Sequence, residues 1–431
     1  MLVEFSVSNF RSVQSRQTLS MVASPDAVHL QKNVIPANHK NVRLLKSAVI
    51  YGPNAAGKSN LLRALQTLGQ LVQASATSFQ EGQRIPVTPF LFSGQTAGQP
   101  SEFEIIFIAD DGVRYHYCCV VSAERVHKEW LVAYPRGRSQ RWFEREFASE
   151  TKSYNWWFGP NFKAERAERK VWQDFTRPNA LFISTAIQLN NEQLKSAFTW
   201  LTQKLIVLVP GVDLNPFLSI NLLREDSGNE QIMRFMRAAD VGIDRLELVE
   251  EDMPVTSPGV ALPPGAVRVH FELNLPPGAS PPMPKSFRVR AWHKRTDSSD
   301  EVPLDIAEES DGTKKLFEFT GGWLRALEWG ATLFVDELDR SLHPHMTRFL
   351  VGLFHSRDNK NSQLVFTTHD TTLLDTDLLR RDQIWFVEKD EQLSSCFYSL
   401  LEYSPRKDEA LERGYLKGRY GAIPFIGNLG V

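Results

Sequence analysis

The chain reads as an α/β protein organised around a phosphate-binding loop, and three observations predict this. Gly52, Gly57, Lys58 and Ser59 stand in G-x-x-x-x-G-K-[ST] register between a short apolar strand and a helical run. An apolar run, Ala331 to Val335, ends in the acids Asp336 and Glu337. Between these two features lie first short alternating strands and then stretches of helical spacing.

The first strand is Leu2 to Phe10, where Val3, Phe5 and Val7 alternate with Glu4, Ser6 and Ser8; this is the period of a half-buried strand. Asn9-Phe10-Arg11-Ser12 then turns the chain. Ser47 to Tyr51 is a short buried strand. The loop Gly52-Pro53-Asn54-Ala55-Ala56-Gly57-Lys58-Ser59-Asn60 follows, and Leu61, Leu62, Leu65 and Leu68 continue at helical spacing. Glycines let the backbone fold tightly so that its N–H groups surround a phosphate. Lys58 would reach the β/γ-phosphates and the Ser59 hydroxyl would hold Mg²⁺. Strand, loop and helix start together make an anion site, with ATP as the expected ligand.

Beyond this helix the segments Pro89 to Phe92, Glu102 to Ile108, Val113 to Val121 and Trp130 to Tyr134 read as short strands, with a hairpin at Asp110-Asp111-Gly112. Residues 134–170 interleave cations with Trp142, Phe143, Tyr154, Trp156, Trp157 and Phe158. Such a mixture suits nucleic acid when it is strongly basic. Here five glutamates stand among nine cations, so the charge is mixed rather than basic, which favours a packed aromatic face with solvated charges. Asn191 to Leu205 and Asn229 to Ala238 have helical spacing. Nine of the 24 prolines lie between Pro254 and Pro284, in two clusters around a strand from Val267 to Leu273; these read as exposed loops. Phe287 to Trp292 is the returning strand.

In the last third, a buried strand that delivers Asp336 to a Mg²⁺-bound nucleotide is the Walker B arrangement. The adjacent Glu337 is placed to polarise an attacking water. Gln363 to Thr368 is another apolar run, and it ends at His369. Glu309-Ser310-Asp311-Gly312 begins a helix. Ser310 or Asp311 would cap it, and the Ser310 hydroxyl with the Gly312 backbone could meet a γ-phosphate. Gly321-Gly322 interrupts that helix without a reason visible in the sequence.

The totals set bounds. The length of 431 residues suits two or three lobes, and 42% hydrophobic residues suffice for a large core. A formal net charge of -2 gives no support to nucleic acid as a partner. Three cysteines, Cys118, Cys119 and Cys396, do not make a disulfide framework and fit a reducing cytoplasm. The N-terminal residues lack the pattern of a signal peptide, and no apolar run is long enough for a membrane span.

The order of motifs resembles the ABC-type ATPases of the OLD/RecF/SMC-like group. Asn9-Phe10-Arg11-Ser12, about 40 residues before the phosphate loop, is similar to the opening of RecF/SMC heads, which makes Arg11 a nucleotide contact. Glu309 to Lys315 sits where that group has its signature motif, although only a serine and one glycine of L-S-G-G-Q remain. Asp336-Glu337-Leu338-Asp339 continues into a D-loop, and Thr367-Thr368-His369-Asp370 resembles the switch histidine segment. With Gly418 to Pro424, these residues resemble more closely the stand-alone, RloA-like ATPases of phage-defence and abortive-infection operons. The resemblance implies an ABC-type head with a mixed core sheet, an antiparallel β subdomain and a helical lobe. The expected segments are 1–88 and 301–431 for the core, 89–175 for the β subdomain and 176–300 for the helical lobe with its proline-rich insertion. It also implies catalytic roles for Glu337, His369 and Lys58, and an ATP-dependent dimer or higher oligomer that acts on a separately encoded effector or toxin. After His369 only 62 residues remain (431 − 369), too few for the Toprim nuclease of full OLD proteins. A RecF-like DNA-repair ATPase is the alternative.

Overall fold

The computed structural model describes residues 1–36, 42–208, 216–225, 227–239, 241–252, 267–268, 285–359, 361–404, 406 and 409–424. The chain divides into two compact units. The first is Met1–Val209 with Trp329–Leu338 and Leu350–Val431; the second is Pro210–Glu328 with Asp339–Phe349.

Among the described residues the first unit holds a six-stranded sheet, a seven-stranded sheet and the short pair Val34–Pro36 with Arg43–Leu45, together with the helix Lys58–Ala74. Its central sheet has the strand order Leu205–Leu208, Thr332–Val335, Gln363–Thr367, Ser47–Tyr51, Ile384–Lys389, Ser395–Ser399. The first five are parallel and the last is antiparallel, so the sheet is mixed. Parallel strands covered on both faces are buried throughout and read as near-continuous apolar runs. Ser47–Tyr51, Thr332–Val335 and Gln363–Thr367 are accordingly buried at every position. The register puts Val335 beside Phe366 and Thr367 beside Ile50. The carboxyl ends of three neighbouring strands therefore open at one place, where ligands bind in open α/β sheets.

The seven-stranded sheet is antiparallel, in the order Ser153–Phe158, Gln140–Ala148, Val126–Tyr134, Arg114–Val121, Ser101–Ile108, Leu2–Ser8, Gln17–Ser20. The hairpin at Asp110-Asp111-Gly112 forms as expected: Gly112 has φ +73° and the Asp111 carboxylate accepts from Val113 N at 2.9 Å. Most of the aromatic stretch packs inward, while Trp157 is exposed. Trp142 and Phe143 are buried, and Trp156 and Phe158 stand 5.3 and 5.7 Å from the Phe182 ring. Arg145 is wholly buried against Glu129 at 3.0 Å. The Glu129 carboxylate also accepts from the backbone N–H groups of Phe182 and Ile183.

Two expected elements differ. Pro89 to Phe92 is a loop, not a strand: the Phe90 N–H donates to the Asn9 side chain at 3.0 Å in place of a ladder partner. Asn191 to Leu205 is not one helix. Lys195–Thr199 is α-helical, Trp200–Lys204 is a π-helical turn, and Leu205 begins the edge strand of the central sheet. Pairing with Thr332 to Val335 outweighs the local helical spacing there.

The second unit contains the helices Phe217–Leu223, Gly228–Ala238 and Asp311–Trp329. Its sheet is built on the strand Lys285–Lys294, which pairs with Arg245–Asp252, Val267–Arg268 and Glu301–Asp305. Both proline clusters, and Val267 to Leu273 beyond Arg268, lie outside the described residues. The glycine pair now has a physical reason. A Cβ on Gly321 would stand 2.3 Å from Ser219 N, so the helix passes Ser219 backbone to backbone. Gly321 N donates to the Ser219 hydroxyl at 2.8 Å, and that hydroxyl donates to Phe317 O at 2.5 Å.

Candidate nucleotide site

The phosphate loop follows its strand without interruption and ends at the helix Lys58–Ala74. Ala55 has φ 64° and Gly57 φ 112°, so two of its residues are left-handed. Neither motif glycine admits a side chain. A Cβ on Gly52 would lie 2.3 Å from Val387 O, and one on Gly57 would lie 2.1 Å from Ser395 Oγ and 2.7 Å from Ser12 Oγ. Val387 and Ser395 belong to the last two strands of the central sheet, so the chain's end backs the loop near its start. The Ser395 hydroxyl bonds to Ala56 O at 2.5 Å and Ser12 Oγ at 2.8 Å, and Asn60 Nδ2 donates to Ser12 Oγ at 2.7 Å. Lys58 is buried, and its ammonium donates to Gly52 O at 2.6 Å and Pro53 O at 3.2 Å.

A cleft above the loop is lined by Pro53, Asn54, Ala55, Gly57, Lys58, Ser59, Asn60, Arg63, Glu337 and His369. Three separate parts of the sequence thus meet at the carboxyl ends of adjacent strands. Glu337 has φ 51°, a conformation that an acidic residue holds only when its surroundings over-determine it. Thr367 supplies part of that constraint. Its hydroxyl accepts from Glu337 N at 2.7 Å and donates to Asp336 Oδ1 at 2.6 Å. Asp336 is buried and is not among the residues lining the cleft. The switch segment is tied to the loop's strand, as Thr368 N donates to Ile50 O at 3.3 Å and the Tyr51 hydroxyl to Asp370 O at 2.9 Å.

Arg11 has φ 51°, and its N–H donates to Thr88 O at 2.8 Å. Its pKa is lowered, first by desolvation and then by the charge of Arg63. Ser310 and Gly312 lie in the second unit. Ser310 Oγ accepts from Thr313 N at 3.2 Å, so it caps the helix Asp311–Trp329. A Cβ on Gly312 would be 3.0 Å from Ser341 O, which sets the signature-like turn against the D-loop.

Ser59 and Asp336 offer the hard oxygen donors that Mg²⁺ takes, and the loop, Lys58 and Arg63 offer the donors and charge that a polyphosphate needs. Sequence reasoning passed over Thr367, Ser395, Ser12 and Arg63. Arg63 carried a signal, standing four residues past Ser59 on the same helical face. Ser395 carried none.

A phosphate loop at the end of a buried strand, acids and a histidine on the neighbouring strand ends, an antiparallel sheet and a helical unit together define the ABC-type P-loop fold. Residues 47–184 and 278–375 match the family described as "AAA domain, putative AbiEii toxin, Type IV TA system". These segments cover more than half of the chain, which belongs to this family. No curated protein matches it. Similar solved structures include an SmcHead bound to the C-winged helix domain of ScpA, with TM-score 0.44, 15% identity, and 93% of this chain and 99% of that chain covered. The SMC head domain from Thermotoga maritima gives TM-score 0.39 at 12% identity, covering 92% and 98%. The Smc head domain with an extended coiled coil bound to the C-terminal domain of ScpA, derived from Pyrococcus furiosus, gives 0.37 at 14%, covering 94% and 97%. Among the described residues no helix is long and apolar enough to cross a membrane.

Proposed function

We propose that the chain binds ATP with Mg²⁺ in this cleft and hydrolyses it as an ABC-type dimer, to control a separate effector in antiviral defence. One observation carries the enzymatic part: Lys58, Glu337 and His369 line a single cleft. Lys58 meets the β/γ-phosphates, Glu337 takes a proton from the attacking water, and His369 faces the γ-phosphate from the switch strand. Mg²⁺ held by Ser59 and Asp336 would draw charge from the phosphates.

Glu337→Gln tests this. It should leave nucleotide affinity near wild type and slow turnover about 10²-fold or more; wild-type turnover would remove Glu337 from its role. Lys58→Ala should instead weaken binding. The dimer rests on the resemblance to ABC-type heads, in which the signature motif completes the partner's site. Cysteines at positions 310 and 54 should then cross-link between chains only when ATP is present. Exclusive intrachain cross-linking would refute the arrangement.

The family's description as part of a type IV toxin–antitoxin system supports the defence role. Expressed alone under phage challenge, the chain should neither protect cells nor arrest their growth; with its operon neighbours it should protect. Growth arrest by the chain alone would make it the toxin itself and overturn the separate effector.

A further inference from the structure

His369 is bracketed by two bonds that reach the strand beneath the phosphate loop. Before it, Thr368 N donates to Ile50 O at 3.3 Å. After it, Asp370 O accepts from the Tyr51 hydroxyl at 2.9 Å. Tyr51 is fully buried and is the last residue of its strand, directly before Gly52. A buried tyrosine has an apolar body and one polar tip, so a fixed ring fixes where the tip donates. The ring is held from behind. It lies 5.5 Å from the Tyr415 ring and 6.3 Å from the Phe386 ring, and Tyr415 stacks on Phe386 at 5.4 Å. Tyr415 belongs to the helix Leu411–Leu416, and the Glu412 carboxylate of that helix accepts from the Thr371 hydroxyl at 2.8 Å. The segment that follows ties the helix down. The Tyr415 hydroxyl donates to Ala422 O, and Ala422 N to Glu388 Oε2, both at 2.9 Å. Gly421 permits this return: its φ is 66°, and a Cβ there would stand 2.6 Å from the Tyr398 hydroxyl and 2.8 Å from Glu388 Oε2.

We infer that Tyr51 is a positioning residue for His369, and that the helix Leu411–Leu416 with the Gly418 to Ala422 return sets it by clamping its ring. This rests on the switch role proposed for His369. The strand that carries the histidine ends at Thr367, so His369 lies beyond the ladder that orders the strand. Its place in the cleft depends on the backbone bonds of its two neighbours. Without the Tyr51 hydroxyl, Asp370 O loses a donor and the peptide after His369 is free to turn. The imidazole then spends less time at the γ-phosphate. Nucleotide binding rests on the loop and Lys58, so the loss falls on turnover.

Tyr51→Phe keeps the ring and removes the hydroxyl. Steady-state ATP hydrolysis would be measured for wild type, Tyr51→Phe, His369→Gln and the double variant. Tyr51→Phe should lower kcat about 2- to 10-fold, the worth of one neutral hydrogen bond, and leave KM near wild type. Because the tyrosine acts through the histidine, it should cost nothing further in the His369→Gln background. Glu412→Ala, at an exposed position of the clamping helix, should lower kcat by about twofold. Glu412→Gln, which keeps an acceptor, should restore it. Losses that multiply in the double variant would overturn the inference, since Tyr51 would then act independently of His369. So would an unchanged kcat in Tyr51→Phe, with or without a raised KM, while His369→Gln is slow. Wild-type turnover in Glu412→Ala would remove the helix from the clamp. Wild-type turnover in His369→Gln would overturn the switch role and this inference with it.

Discussion

Thr367→Val is the most informative single change in this protein. Valine keeps the β-branched shape of a fully buried strand residue and removes only the hydroxyl. That hydroxyl makes two bonds at once, accepting from Glu337 N at 2.7 Å and donating to Asp336 Oδ1 at 2.6 Å. Its loss leaves a backbone N–H without an acceptor, at a cost of about 1–3 kcal/mol. It also takes a donor from a buried carboxylate, which is worth about 1.5–3 kcal/mol in comparable cases. The two effects share one group and do not add fully, so the loss of stability should be about 2–4 kcal/mol. The functional consequence is separate. Glu337 is held at φ 51° partly by the bond to Thr367, and without it the backbone can relax toward commoner conformations. If half of the lost energy bears on the position of Glu337, turnover should fall about 5- to 30-fold. The assay is steady-state ATP hydrolysis beside nucleotide titration, with Thr367→Ser as the variant that retains the hydroxyl. Affinity should change little, turnover should drop, and serine should restore it. A Thr367→Val protein that melts earlier yet turns over ATP like wild type would refute the positioning role and leave Thr367 purely structural.

Ser395→Ala should weaken nucleotide affinity several-fold in a titration, because the loop loses the hydroxyl that bonds Ala56 O and Ser12 Oγ; unaltered affinity would mean that the loop holds its shape without the last strand. Gly321→Val should destabilise the second unit by about 3 kcal/mol or more in urea, since its Cβ meets Ser219 N at 2.3 Å and the neighbour is backbone that cannot move aside. A change below about 1 kcal/mol would contradict the close helix crossing. His355 is buried, and burial, then the charge of Lys46, pushes its pKa down to about 3 from 6.5. The unfolded chain therefore binds more protons between those values. The contribution of His355 to stability is complete above pH 6.5 and falls by about 1.4 kcal/mol per unit as pH drops toward 3. Urea midpoints at pH 7, 6 and 5 should fall more steeply for wild type than for His355→Gln, and parallel slopes would refute the assignment.

The parts of the site legible in the sequence are those whose chemistry needs neighbouring residues. Gly52, Gly57, Lys58 and Ser59 fall within eight positions because one loop must fold around one phosphate. Asp336-Glu337 and His369 were legible because each ends an apolar strand, and strand ends are where a parallel sheet presents polar groups. Local spacing failed where tertiary pairing decided the outcome. Leu205 carries a helical pattern but pairs with Thr332, and Phe90 carries a strand pattern but gives its N–H to Asn9.

The remaining part of the site could not have been read from any window of the sequence. Ser12 and Ser395 are separated by 383 residues and lie 2.8 Å apart. Neither is unusual in its own neighbourhood, and serine is common on loops and strand ends. Their role appears only when the final antiparallel strand is laid beside Ile384–Lys389 and its first residue comes up beneath Gly57. A motif therefore specifies what the loop must be able to do, while the residues that hold it in that shape come from wherever the sheet brings the chain back. Gly57 joins the two descriptions. Its φ of 112° requires glycine for the turn, and the hydroxyls of Ser395 and Ser12 fill the space where a side chain would go. Any substitution there strains the loop and displaces its support together, so Gly57 should tolerate change less than the left-handed turn alone would require.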